Sequence, residues 1–223
     1  MSVASQHASQ NASTNPDCAK ATRSTRKPRG EGHSRRAEIL AAAERIFVEV
    51  GYEGATIRRI ADEVGLSSTA LYMHFAEKGE ILHEICRNAF EQLIENNARL
   101  EAEPGTPEQK LRRMLEAYLD FAFANPNAYR LIYLTRPIEA RDGAQDVSQQ
   151  LGGQLYRSFT VLVEAVAAEG RLKIDARLAA QVFWSGAHGV VALMITKPYF
   201  DWAERSALTT AMLDALFAGL LEP

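Results

Sequence analysis

Apolar residues recur every three or four positions along most of this chain, which is the spacing of an amphipathic α-helix. The pattern begins after Ser34, a residue type favoured at helix N-caps, and its first apolar face ends at Gly51. No segment shows sustained alternation with a period of two, so the pattern predicts an all-α fold. The first apolar face consists of Ile39, Ala43, Ile46, Phe47 and Val50.

Two short helical patterns follow, separated by Gly65. Thr56 is expected to cap the first, and Ser67 to cap the second, which runs through Phe75. Two short helices joined by a tight glycine turn are the pattern of a helix-turn-helix, although an ordinary helical hairpin has the same spacing. The residues expected to pack this pair are Ile60, Ala61, Val64, Leu66 and Leu71.

The rest of the chain predicts longer helices. A fourth helix is expected from about Glu77 to Glu101, and Pro107 fits the first turn of a fifth. Further helices are expected over roughly 107–124, 126–135, 144–169, 175–196 and 206–221, with joins at Pro126, Pro137, Gly170 and Pro198.

Charged residues are distributed unequally along the chain. Residues 20–36 hold seven Lys or Arg against Glu31 alone, although the whole chain has a net charge of −3. A basic arm on an acidic body indicates a polyanion contact at one end, whereas an inert solvated tail is the alternative. Residues 1–32 are polar and poor in aromatics, so we expect them to be disordered.

Several function classes find no support in the sequence. Cys18 and Cys86 make neither a disulfide framework nor a metal site, and the spacing of His83 and Cys86 lacks two further ligands for zinc. There is no nucleophile–base constellation and no glycine-rich phosphate loop, so we expect neither an enzyme nor a cofactor. The N-terminus lacks the apolar stretch of a signal peptide, so a cytoplasmic location is expected.

One uncharged stretch, residues 178–195, approaches the length of a membrane span. Gln181, Ser185 and His188 interrupt it, and no second span follows. A helix that is apolar on every side can also pack between its own domain and a second subunit, which is the interpretation we favour over a membrane helix.

Residues 36–82, RAEILAAAERIFVEVGYEGATIRRIADEVGLSSTALYMHFAEKGEIL, resemble the N-terminal DNA-binding region of TetR-type transcriptional regulators. The resemblance implies that Thr56, Arg58, Tyr72, His74 and Lys78 hold the DNA backbone, and that Ser68, Thr69, Ala70 and Met73 face the bases. The residue chemistry agrees for most of these positions. A helix N-terminus and a lysine suit phosphate, and small donors with one apolar tip suit base edges. His74 is also a reasonable core residue beside Phe75.

The C-terminal segments NPNAYRLIYL (125–134) and FWSGAHGVVALMI (183–195) resemble one subgroup, with a Trp and a His-Gly pair on the penultimate long helix. In the family this region binds a ligand and dimerises through its last two helices. Small residues at Ser185, Gly186, Ala187 and Gly189 permit a close helix approach. The candidate ligand-binding residues are Tyr118, Phe121, Tyr129, Tyr133, Phe159, Trp184 and His188, each of which could instead be plain core.

These observations predict three regions: a disordered basic tail (1–32), a helix-turn-helix head (33–80) and a ligand-binding, dimerising body (81–223). The function they favour is a homodimeric repressor that leaves an inverted-repeat DNA operator when a small, largely apolar effector binds. The alternative is a ligand-independent DNA-binding protein of the same fold, acting in nucleoid organisation or cell division. The partners expected are double-stranded DNA, a small-molecule effector and a second copy of the chain, and no membrane.

Overall fold

The computed structural model of the chain describes residues 32–134 and 144–222. Apart from one isolated β-bridge between Leu172 and Leu221, these residues form helices and connecting loops, which confirms the all-α prediction. The helices are α1 (Gly32–Gly54), α2 (Ile57–Glu63), α3 (Ser68–Tyr72), α4 (Lys78–Ala102), α5 (Pro107–Ala124), α6 (Pro126–Tyr129), α7 (Ala144–Ala168), α8 (Ala176–Thr196) and α9 (Arg205–Leu220). A π-helical turn, Arg130–Leu134, continues α6.

The head packs α1, α2, α3 and the start of α4 around one apolar core. The predicted apolar faces lie in it, since Ile39, Phe47, Ile60 and Leu71 are all buried. Cys86 is also buried there, as expected of a small core residue.

The body packs α5, α7, α8 and α9 around a second, larger core, with α4 against α7. On α4 the buried amide of Asn97 donates to the hydroxyl of Ser158 on α7 at 2.9 Å. Because α4 starts in the head core and ends in the body core, the predicted division at residue 80 falls inside one continuous helix.

Three boundary predictions are wrong. Helix α1 begins at Gly32, so Ser34 lies within it and is not its N-cap. Helix α3 ends at Tyr72, three residues before the predicted end. The predicted helix over 126–135 is α-helical only to Tyr129, because the next five residues form the π-helical turn. The other starts and ends agree within about one residue, except that α1 continues to Gly54 after a non-helical break at the predicted end, Gly51, where φ is +75°.

Helix α8 is the one helix among the described residues that is long and apolar enough to cross a membrane. One side of it lies in the body core through Phe183, Ala187 and Val191, and only 33% of its most apolar window is buried. A core helix of a soluble protein passes the same test of length and composition. Residues 1–31, with most of the predicted tail and basic arm, and the predicted join at Pro137 lie outside the described residues.

Candidate functional site

The α2–α3 unit is held by two side-chain caps and one glycine. Thr56 Oγ1 accepts the Arg59 N–H at 3.1 Å, and Ser67 Oγ accepts the Ala70 N–H at 3.1 Å, as the sequence predicted. Between the two helices Gly65 has a φ of +66°, a conformation that residues with a Cβ rarely adopt. These contacts produce the helix-turn-helix geometry.

Helix α3 presents the predicted strip of residues outward. Tyr72 is 52% exposed and Met73 is 84% exposed, although both follow directly on the buried Leu71. Thr69 is exposed beside them, while Ser68 and Ala70 are half-buried. Burial of a thioether and a phenol ring would be favourable, and both side chains forgo it here. Their exposure is therefore consistent with a contact surface.

A groove of about 490 Å³ runs beside this strip, between the start of α2 and the start of α4. Four of the five residues expected to hold the DNA backbone line it, namely Thr56, Arg58, Tyr72 and Lys78. The fifth, His74, is half-buried, and its carbonyl accepts a hydrogen bond from Arg36 Nη1. The groove therefore gathers most of the predicted backbone-contact residues on one face of the head.

Lys78 has structural contacts that the sequence did not indicate. Its Nζ donates to the carbonyls of Tyr52 at 2.6 Å and Ala55 at 3.1 Å, and it lies 4.1 Å from the centre of the Tyr52 ring. The lysine thus ties the start of α4 to the end of α1. A phosphate near the groove would share this ammonium with the two carbonyls.

All five arginines of the head that the structure describes contact a carboxylate of the same chain. The pairs are Arg35–Glu38 (2.6 Å), Arg36–Glu84 (2.8 Å from Nε), Arg45–Glu63 (3.0 Å), Arg58–Asp62 (3.8 Å) and Arg59–Glu49 (2.8 Å). Internal pairing reduces the positive charge that the folded head offers to DNA.

Arg36 has the densest of these contacts. Besides Glu84 it contacts Glu80 at 3.4 Å, and its guanidinium lies 4.0 Å from the centre of the Phe75 ring. The hydrogen bond to Glu84 is the main cause that raises the pKa of Arg36. The sequence assigned Arg36 to the basic arm, but the structure places it between α1, the end of α3 and α4. No local motif indicates such a contact, because its partners lie 38 to 48 residues away.

In the body, the structure brings five of the seven candidate ligand-binding residues together around His188. The Tyr129 hydroxyl lies 2.6 Å from His188 Nδ1, and the Tyr118 hydroxyl lies 3.4 Å from the same atom. The ring centre of Tyr133 is 5.4 Å from that of His188, and the ring centre of Trp184 is 6.0 Å from it. We refer to these five residues as the aromatic cluster.

The aromatic cluster is electrically neutral. Burial raises the pKa values of Tyr118, Tyr129 and Tyr133 far above the ordinary value for tyrosine, so all three stay protonated. Burial also lowers the pKa of His188, which favours the uncharged imidazole. The cluster can therefore offer hydrogen bonds and ring faces to a ligand, but no formal charge.

The other two candidates lie apart from His188. Phe121 is buried against Ala89, Leu93 and Ala128 in a separate small core. Phe159 is buried in the body core, with its ring 6.2 Å from that of Tyr156. Tyr156, which the sequence did not single out as a candidate, also lies 5.6 Å from the Trp184 ring and lines an open groove of about 570 Å³.

Residues 126–134 connect the two cores. Tyr129 belongs to the body core and Leu131, two residues later, to the head core. Directly before Tyr129, the backbone of Ala128 interacts with the carboxylate of Glu44 on α1, and burial is the main cause that raises the pKa of this carboxylate. A displacement of Tyr129 at the aromatic cluster would thus reach α1 through one short segment.

Apart from Arg177, Arg205 and Asp214, the exposed side chains of α8 and α9 are uncharged. On α8, Leu178 and Leu193 are about half exposed, and on α9 the alanines at 211, 215 and 218 are exposed. Ala187 was predicted to lie in a seam between subunits, which is wrong, because it is fully buried in the core of its own chain. A Cβ at Gly186 would lie 2.7 Å from Leu216 Cδ1, so this glycine permits the approach of α8 to α9 within one chain, whereas the space around Gly189 is open.

No group of three or more His, Cys, Asp or Glu side chains that could hold a metal ion occurs among the described residues. His83, which has i, i+3 spacing to Cys86, is half-buried on α4.

Models of known protein families match both the head and the body of the chain. Residues 39–85 match the family model described as bacterial regulatory proteins, tetR family, and residues 111–216 match that of a tetracyclin repressor-like C-terminal domain. The chain is 31% identical over 143 residues to the HTH-type transcriptional repressor KstR2 of Mycolicibacterium smegmatis, a match that covers 64% of this chain and 69% of that protein.

Two further proteins are similar over different lengths. The HTH-type transcriptional activator FasR of Mycolicibacterium smegmatis is 34% identical over 119 residues, which are 52% of this chain and only 53% of FasR. The crystal structure of FadR from Bacillus subtilis in complex with stearoyl-CoA shares the fold, with a TM-score of 0.68 at 18% identity over 82% of this chain and 98% of that one. Both the repressor and the activator are named as transcription regulators.

Proposed function

The chain belongs to the TetR family of bacterial regulatory proteins, and we propose that it is a ligand-responsive, DNA-binding transcriptional repressor. The observation that carries the proposal is the outward strip of α3 beside the groove that holds Thr56, Arg58, Tyr72 and Lys78. A regulator of this kind acts where bacterial DNA lies, in the cytoplasm. The alternative is a transcriptional activator, since FasR is named an activator and KstR2 a repressor.

In this proposal α3 enters the major groove of the operator. Ser68, Thr69, Ala70 and Met73 then face base edges. Their chemistry suits this position, since a hydroxyl can hydrogen-bond to a base and a thioether can contact a thymine methyl. The groove residues with His74 hold the phosphates, which positions the head without selecting a sequence. A helix-turn-helix dimer of this kind reads two half-sites related by a two-fold axis.

We also propose that the aromatic cluster binds the effector. Its neutral ring faces and hydroxyls suit a small, largely apolar molecule. FadR of Bacillus subtilis, which shares the fold, was crystallised with stearoyl-CoA, a ligand with a long apolar chain. The route to the head would run through Tyr129, Ala128 and Glu44, and along α4, which both cores share.

The dimer would form through the outer sides of α8 and α9, which carry half-exposed leucines and exposed alanines. Uncharged, small and apolar residues on neighbouring helices suit close packing against a second copy. The proposal keeps the three regions predicted from the sequence, with the tail at 1–32, the DNA-binding head at 33–80 and the ligand-binding, dimerising body at 81–223, although α4 continues across the division at residue 80.

The test begins with selection of an operator from random duplex DNA by the full-length protein, followed by affinity measurements on single variants. Thr69→Ala and Met73→Ala should change which half-site is preferred, by about 1–3 kcal/mol at the contacted base. Thr160→Ala, at a surface hydroxyl on α7, is the matched control and should leave the preference unchanged. If the two α3 variants select the wild-type half-site with wild-type affinity, α3 is not the reading helix.

The effector is tested on the same operator complex. Compounds that raise the unfolding temperature of the protein should release it from DNA, because a ligand shifts a two-state equilibrium only by its difference in affinity for the two states. Stabilising compounds that never change operator affinity would instead favour the ligand-independent DNA-binding protein.

A further inference from the structure

Arg130 differs from every other half-buried arginine in the parts of the chain that the structure describes. The other five each form a salt bridge with a carboxylate: Arg35, Arg36, Arg112, Arg113 and Arg171. Among the same residues Arg130 has no such carboxylate, and its Nη2 donates to the carbonyl of Ile195 at 2.5 Å. Its Nε is buried with no hydrogen-bond partner in the described structure.

This environment leaves the guanidinium charge incompletely compensated. Ile195 belongs to the last turn of α8, so its carbonyl contributes part of the negative end of the helix dipole. That end is equivalent to roughly half an elementary charge, so it balances only part of a cation. The unused Nε–H and a neighbouring Nη–H form the planar fork that a carboxylate or phosphate accepts through two oxygens.

The position of Arg130 connects it to the aromatic cluster. It directly follows Tyr129, and the π-helical turn that it begins includes Tyr133. Single π-helical turns inside α-helices are rare and frequently occur at functional sites. On α8, Ile195 lies seven residues beyond His188, which at 1.5 Å per residue places the cation about 10 Å along the helix from the imidazole.

We propose that Arg130 binds an anionic oxygen group, a carboxylate or a phosphate, at one end of an effector whose apolar part lies against the aromatic cluster. The inference rests on the proposed function, because it names the chemical class of that effector. The aromatic cluster supplies neutral ring surface, and Arg130 supplies the one charge needed to fix the orientation of an amphipathic molecule. A bidentate, charge-assisted pair in a half-buried position is stronger than a neutral hydrogen bond, so the anionic group would dominate selectivity.

Three probes with the same ten-carbon chain test the proposal: decanoate, decyl phosphate and decanol. Each is titrated into the full-length protein by calorimetry below its micellar concentration. The wild type should bind at least one anionic probe about tenfold or more tightly than decanol, the gain expected from a charge-assisted pair. The tighter of the two anions identifies the carboxylate or the phosphate as the preferred group.

The variants separate the charge from the apolar contact. Arg130→Gln should lower the affinity for the anionic probe by about 10- to 100-fold and leave that for decanol unchanged. Arg130→Lys keeps the charge but loses the planar fork, so its affinity for the anionic probe should lie between those of the wild type and Arg130→Gln. Arg177→Gln is the matched control, since it removes an exposed positive charge from α8, the helix whose Ile195 carbonyl contacts Arg130. This variant should bind all three probes as the wild type does.

Three outcomes would overturn the inference. The wild type could bind all three probes equally, it could bind none of them, or Arg130→Gln could weaken decanol as much as the anions. If Arg130→Gln fails to fold, Arg130→Lys decides the question, since equal loss for decanol and decanoate then indicates a structural role only. Operator binding without any probe is measured in parallel, so a protein that binds DNA but shows no preference for anions refutes this inference and not the proposed function.

Discussion

The head and the body differ in how their polar side chains are used. In the head, all five described arginines contact carboxylates, and most of these pairs are at least partly open to solvent. In the body, the central contacts join neutral tyrosine hydroxyls to an uncharged, half-buried imidazole. Solvent-exposed ion pairs contribute little and are screened by salt, whereas a buried neutral hydrogen bond is costly to break and insensitive to salt.

This difference explains why each region suits a different task. A head whose surface charges are already paired has limited attraction for polyanions in general, so its specific contacts and the basic arm must supply the affinity. A neutral, partly buried cluster can change its hydrogen bonds when a ligand enters without first separating charges.

The largest effect is expected on the outer side of the body. Ala215→Glu places a carboxylate in the proposed seam between two copies of α9, where an unpaired buried charge costs about 3–5 kcal/mol. The variant should therefore be monomeric or aggregated in light scattering at concentrations where the wild type is a dimer. Ala98→Glu, at an exposed alanine on α4, is the matched control and should stay dimeric. An intact Ala215→Glu dimer would place the interface on another face.

The next effect is expected at the centre of the body. Tyr129→Phe removes the hydroxyl from a fully buried ring and leaves His188 Nδ1 with only the longer contact to Tyr118. The free energy of unfolding should fall by about 1–3 kcal/mol, the cost of an unsatisfied buried polar group. Urea titrations at low and high salt should give the same decrease, because no charge is involved. A decrease that disappears in high salt would remove the contrast between the two regions.

The sequence specified the head more completely than the body, for a physical reason. Caps such as Thr56 and Ser67 and the break at Gly65 depend on neighbours within four residues, so local patterns predict them. The contacts of His188 with Tyr118 and Tyr129 join residues 70 and 59 positions apart, and composition alone cannot distinguish those tyrosines from Phe121, which lies elsewhere. The same limit applies in the head to Arg36, whose partners Glu84 and His74 lie 48 and 38 residues away in sequence.

A third effect concerns the basic arm. We expect the basic arm, residues 20–36, to supply an unusually large share of DNA affinity, and chiefly its part at 20–30, because the arginines of the head, Arg35 and Arg36 among them, are internally paired. Deleting residues 1–30 removes Lys20, Arg23, Arg26, Lys27 and Arg29 and should lower operator affinity at least about tenfold near physiological salt. The slope of log affinity against log salt should become shallower by roughly 0.9 for each phosphate that the arm no longer neutralises. The preferred half-site should stay the same, whereas an inert tail predicts an unchanged slope.

The smallest effect is expected at Arg36, and it decides between two interpretations of that residue. Arg36→Lys keeps the positive charge but loses the planar fork toward Glu84, and since this pair is partly exposed, the free energy of unfolding should fall by about 1 kcal/mol or less.

If Arg36 positions the end of α3 against α4, Arg36→Gln should weaken operator binding with no change in the salt slope, because the protein still neutralises the same phosphates. Glu84→Gln should then act in the same way, and the double variant should weaken binding by less than the sum of the two single effects. If instead Arg36→Gln makes the salt slope shallower by roughly 0.9 and Glu84→Gln leaves operator binding unchanged, the guanidinium contacts DNA and Arg36 belongs functionally to the basic arm.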